Sequence, residues 1–129
     1  MAQEQTQQQV VRLLDAAADQ IKLYAEAKEF DARTRETLQR VLALQSQVAE
    51  AQRKLAQLDT ERQHIVQEQG RVRDNLQSVP ANSDLQRRYL ATLEKQENAL
   101  DDLDKRHGAA EKAVEAAKDA LRSFVTQLG

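Results

Sequence analysis

The chain has 129 residues, of which 31% are charged and 3% aromatic, with no Cys or Trp and a formal net charge of −2. Two Phe and two Tyr cannot fill a globular core, and zero cysteines exclude disulfides and thiol chemistry while suiting either cytoplasm or periplasm. The small negative charge gives no general attraction to nucleic acid or anionic membrane. Ala, Leu, Glu, Gln, Lys and Arg dominate, a composition that with heptads points to long helices rather than an α/β or all-β domain. No apolar run approaches the ~18 residues of a membrane span. The start, Met1-Ala2-Gln3-Glu4-Gln5, lacks the basic residues and apolar stretch of a secretion signal.

In chain order, residues 3–9 are a polar, Gln-rich lead-in expected to fray. The stripe Val10, Leu14, Ala17, Ile21 and Tyr24 then predicts a first helix over about 8–28. Apolar character stops at Lys28-Glu29-Phe30-Asp31, where Asp31 can cap a new helix; one bent helix across residue 30 is the alternative. A second helix is predicted over 32–79, ending at Pro80, the only proline. Residues 80–83 form the tip, Ser83 reads as an N-cap with Gln86 closing a capping box, and Asp84 suits the start of a third helix over 84–128.

The second and third helices carry matching seams. Val41, Leu44, Val48, Ala51, Leu55, Leu58, Arg62, Ile65, Gln69, Val72 and Leu76 recur at alternating spacings of three and four. So do Tyr89, Leu93, Gln96, Leu100, Leu103, His107, Ala110, Val114, Ala117, Leu121 and Phe124. Folded at the tip, each member of one seam faces a member of the other at positions summing to 165, which sets Gln69 opposite Gln96 and leads those amides to satisfy each other. A 3.5-residue repeat keeps a seam on its partner in a left-handed coiled coil, and matched polar residues fix register. The first helix, about half as long, is expected antiparallel on the open end near Leu38, Leu42 and Ala49, where Ala109, Ala110, Ala113, Ala116, Ala117 and Ala120 permit close approach. The expected fold is therefore all-α: one helical domain over 1–129, a long antiparallel coiled-coil hairpin with a shorter N-terminal helix packed on its open end.

Polar residues interrupt the seam at mid-arm. Arg62 is set against Leu103 and His107 against Leu58, and the flanking positions bring Asp59 near Asp104. Asp59, Asp104 and His107 could hold a metal or act as an acid–base set. The spacing matches no metal signature, and Arg62 and His107 neutralising two carboxylates is the reading favoured here. His64 falls on the outer, solvated face.

Near the tip Arg71, Arg73, Arg87 and Arg88 gather and could grip phosphates. Asp74, Asp84 and Glu94 lie alongside, and only Tyr89 is available for stacking, so pairing with carboxylates is favoured and nucleic-acid binding is the alternative function. Gly70 and Gly108 each follow a seam position on the outward side, where solvent-exposed tolerance is the simplest account. Phosphate-binding Gly-rich loops, nucleophile elbows and Walker motifs are absent, so no enzyme, catalytic residue, cofactor or metal is expected.

Glu68-Gln69-Gly70-Arg71-Val72-Arg73-Asp74-Asn75-Leu76, followed by Val79-Pro80, Ser83-Asp84-Leu85, Arg88-Tyr89-Leu90, Leu93 and Gln96-Glu97, resembles the C-terminal helical region of the bacterial mucoidy-inhibitor-A-like family of unknown function. The likeness is densest over residues 68–97 and looser over 10–60. Members of that family carry β-rich regions and often an export signal, so this chain would correspond to the helical part alone. The resemblance implies a periplasmic or envelope location for a fragment of an exported protein, and no catalytic residues; a complete chain would be cytoplasmic. The expected function is a non-enzymatic interaction or spacer arm whose partner is another protein or flanking domains of the same chain, with homodimerisation as a variant.

Overall fold

A computed structural model describes residues 31–128. Two long helices, α1 (Ala32–Gln77) and α2 (Asp84–Leu128), are joined by a short turn and packed together as a helical hairpin, with no strand among the described residues. The helix expected over about 8–28, and its packing on the open end, lies outside the described residues. No described helix is long and apolar enough to cross a membrane.

The start of α1 is set by Asp31. Its Oδ1 accepts the otherwise free Thr34 N–H at 2.7 Å, and its carbonyl accepts the Arg35 N–H at 3.0 Å as the first bond of the helix. The first helical residue is accordingly Ala32. Those bonds from Thr34, backbone first and side chain second, stabilise the charged carboxylate and hold Asp31 below its ordinary range, with Arg33 and Arg35 adding smaller attractions.

The other end of α1 falls at Gln77, two residues before the expected 79. The ring of Pro80 crowds Val79 out of helical geometry. The last turn also tightens, with the Ser78 N–H bonded to the Asn75 carbonyl at 3.1 Å. At the turn, the Ser83 N–H donates to the Pro80 carbonyl at 3.3 Å and the Ser83 hydroxyl to the same oxygen at 2.7 Å. Asn82 between them has φ 63°, a left-handed conformation that Asn tolerates better than most side chains.

Ser83 Oγ accepts the Gln86 N–H at 3.1 Å, as an N-cap does. The reciprocal half of the capping box is displaced by one residue: Gln86 Oε1 accepts the N–H of Asn82, at 2.7 Å, rather than that of Ser83. The reason is local, because the Ser83 N–H is already engaged by Pro80 and the left-handed turn at Asn82 leaves its own N–H in need of an acceptor.

The chain divides into two compact units. One is Arg53–Lys112, which contains the turn; its buried side chains are Leu58, Val72, Leu103 and Gln69. The described residues of the other are 31–52 and 113–128, with Leu38, Val41, Leu44 and Val114 buried and Leu38 and Val41 fully removed from solvent. Along both helices every seam position except Arg62 is buried or half-buried.

Candidate functional site

The polar groups that bridge the helices within Arg53–Lys112 form the candidate site. Arg62 is exposed and reaches across from α1, its Nε donating to Asp104 Oδ1 at 3.3 Å. His107 lies half-buried on α2, with Nε2 2.9 Å from Asp59 Oδ1 on α1 and Nδ1 2.7 Å from Glu111 Oε1 one turn along its own helix. Asp59, Arg62, Asp104 and His107 thus meet in two cross-helix pairs, each carboxylate facing a nitrogen of the other helix. Glu111 was missed in the sequence, although an acid four residues after a histidine shares its face and could have been found by that spacing.

A metal is poorly served by this arrangement. The two imidazole nitrogens face different carboxylates on opposite edges of the ring, and no group of three His or acidic side chains suited to a metal ion occurs among the described residues. All the side chains concerned are about a third or more exposed, so each ion pair contributes about 0–1 kcal/mol.

The glutamine layer differs from the expectation. Gln69 is 3% exposed, yet its Nε2 donates to Glu97 Oε1 at 2.8 Å and not to Gln96. Gln96 Oε1 is shut off from solvent without a hydrogen-bond partner. A carboxylate is a stronger acceptor than an amide oxygen, and Glu97, next in sequence to Gln96, brings one to the rim of the same layer.

Three of the four tip arginines are engaged by carboxylates. Arg71 forks onto Glu68 Oε2 at 3.0 and 3.1 Å, Arg87 holds Asp84 at 2.6 Å, and Arg73 lies 3.8 Å from the same Glu97 oxygen that Gln69 uses. Arg88 is exposed and makes no ion pair among the described residues, and Tyr89, at the seam, is half-buried. Asp74 and Glu94, expected as partners, take no part; Glu68 and Glu97 do, being one helical turn or one helix crossing away. His64 is exposed. A methyl group placed on Gly70 or Gly108 would meet nothing within 4 Å.

Comparison with protein-family models, with curated proteins and with solved structures finds no match to this chain.

Proposed function

We propose that the chain is a non-enzymatic interaction or spacer arm, built as an antiparallel coiled coil in the register that pairs positions summing to 165. One observation carries the reading. The bonds Asp59–His107, Arg62–Asp104 and Gln69–Glu97 all join residues whose numbers sum to 166, one position from the seam register. A slip by one heptad would move those partners about 10 Å apart along the axis, beyond the reach of any of them. The polar groups that join α1 to α2 are therefore engaged within the arm. The likeness of residues 68–97 to the mucoidy-inhibitor-A-like helical region supports a place in a larger bacterial protein.

The alternative, nucleic-acid binding at the tip, is disfavoured because Arg71, Arg73 and Arg87 already face carboxylates that a phosphate would have to displace.

Two measurements test the proposal. Cysteine pairs at Ile65 with Leu100 and at Val72 with Leu93 should join within one chain under a short thiol cross-linker; covalent dimers instead would mean pairing between chains. A gel shift with RNA at low salt should show no binding that four Arg→Gln changes at 71, 73, 87 and 88 abolish. Such binding would transfer the function to the alternative.

A further inference from the structure

We propose that residues 8–28, outside the described residues, dock as an amphipathic helix on one flank of the open end of α1 and α2, the flank that carries Leu38. Equivalent places on the helices differ in exposure. On α1, Leu38 and Val66 each stand three residues before a seam position, Val41 and Gln69. Val66 is 45% exposed, as the rim of a two-helix seam should be, yet Leu38 is 0% exposed. On α2, Leu90 and Lys118 each stand three residues before a seam leucine, Leu93 and Leu121. There the leucine is 49% exposed and the lysine is half-buried, as is Val125 beyond it. Two packed helices leave their rims open to water, so burial at Leu38, Lys118 and Val125 requires a third element.

The burial is one-sided. Leu42 and Gln45, on the Leu38 side of α1, are half-buried, whereas Arg40 and Gln47 on its other side are exposed. Ala113, Ala116 and Ala120 of α2 are exposed too, so the alanine face expected to admit a third helix is open. The covered flank is the one where Leu38 and Leu42 offer larger apolar side chains to bury.

The stripe Val10, Leu14, Ala17, Ile21 and Tyr24 has the length this flank needs. As a helix it runs about 21 Å from Val10 to Tyr24, against about 17 Å from Thr34 to Gln45 on α1. Lys28 is followed closely by the Asp31 cap, and so short a connection turns the segment back along α1. Tethering then favours it over a second copy, because a short link presents it at an effective concentration of about a millimolar. In that pass Tyr24 and Ile21 come over Leu38 and Leu42, with Ala17 beside Gln45.

The whole chain has no cysteine, so single introduced thiols report the cover directly. L38C should react with a maleimide at least about tenfold more slowly than V66C. Adding I21D should raise the L38C rate to that of V66C, while V72C, at a buried seam position, stays protected in the same background. Independently, A17C with Q45C should join within one chain under a short thiol cross-linker, whatever the protein concentration. The proposal is overturned if L38C reacts as fast as V66C in the unchanged background, or if its protection survives I21D. Cross-links between chains overturn it in favour of a second copy on the flank. If I21D also exposes V72C, the hairpin itself has opened and the cross-link alone decides, its absence within one chain overturning the proposal.

Discussion

Replacing Gln96 by Leu should stabilise the hairpin, and its size can be worked from the two halves of the glutamine layer. Gln96 Oε1 is cut off from water with no partner, and an orphaned acceptor of that kind costs about 1–3 kcal/mol. Leu removes that penalty and adds apolar area in a seam that includes the buried Val72. Full burial of a Leu side chain is worth about 1.5–3 kcal/mol, of which a half-buried site returns roughly half. The sum is reduced by whatever strain the branched side chain meets, so a gain of about 1–3 kcal/mol is expected. Gln69→Leu differs, because the gain from burying Leu at a site 3% exposed is set against loss of the bond to Glu97. A charged hydrogen bond is worth about 1.5–3 kcal/mol, so the change should be near neutral. Denaturant unfolding of the two single variants and the double variant, with sedimentation to follow association state, measures all three. If Gln96→Leu lowers stability, its carbonyl has a partner, and an ordered water or a bound chain at that layer becomes the better account.

Gly70→Ala and Gly108→Ala should each raise stability by about 0.5–1 kcal/mol, because the added methyl group meets open space and a helical glycine is entropically expensive; thermal melts check this. Ser83→Ala should lower stability by about 1 kcal/mol through loss of the cap on Gln86, read as earlier melting of the start of α2 by amide exchange. Leu38→Ala should be markedly worse than Leu93→Ala in chemical denaturation, about 2–5 kcal/mol against roughly half of that, since Leu38 is fully buried and Leu93 only half. The stability contributed by the Asp31 cap is present above the ordinary aspartate value of 3.8 and lost as pH falls through the lowered one, so the start of α1 should fray only in stronger acid. Asp31→Asn should remove that acid response in amide exchange near Thr34.

Much of the fold could be read from periodicity because a long helix repeats one environment many times. The two long helices packed as a hairpin and the N-caps at Asp31 and Ser83 needed only local spacing and turn chemistry. What escaped was decided by competition among neighbouring groups. Gln69 bonds the carboxylate of Glu97 and not the amide oxygen of Gln96, a preference that spacing alone does not rank. Gln86 found the N–H of Asn82 because a left-handed residue had turned it there, and a positive φ leaves only a weak mark in sequence. Glu111 stands outside the cross-helix pattern because its spacing from His107 runs along α2.

In the register proposed above, the cross-helix pairs contribute more to its choice than to its depth. Each involves side chains that keep solvent exposure, so each adds about 0–1 kcal/mol to folding. The apolar layers contribute more, but they discriminate poorly: Leu, Ile and Val recur every three or four residues, so a heptad slip puts apolar residues against apolar residues again. The polar positions recur only in part: moving α2 by one heptad sets Arg62 against Glu111 and Gln69 against Asp104 in one direction, and Arg62 against Glu97 in the other. Either slip carries Asp59 away from His107 to an apolar neighbour, Val114 or Leu100, and the second also leaves the Gln69 amide, now 3% exposed, beside Leu90 without Glu97. That last loss alone is worth about 1–3 kcal/mol, more than either ion pair. In the register proposed above, Asp59–His107 is thus the pair lost to a slip in either direction, and the Gln69–Glu97 bond is the contact that most opposes the second slip, although it lies beside the one buried polar atom the layer leaves unsatisfied.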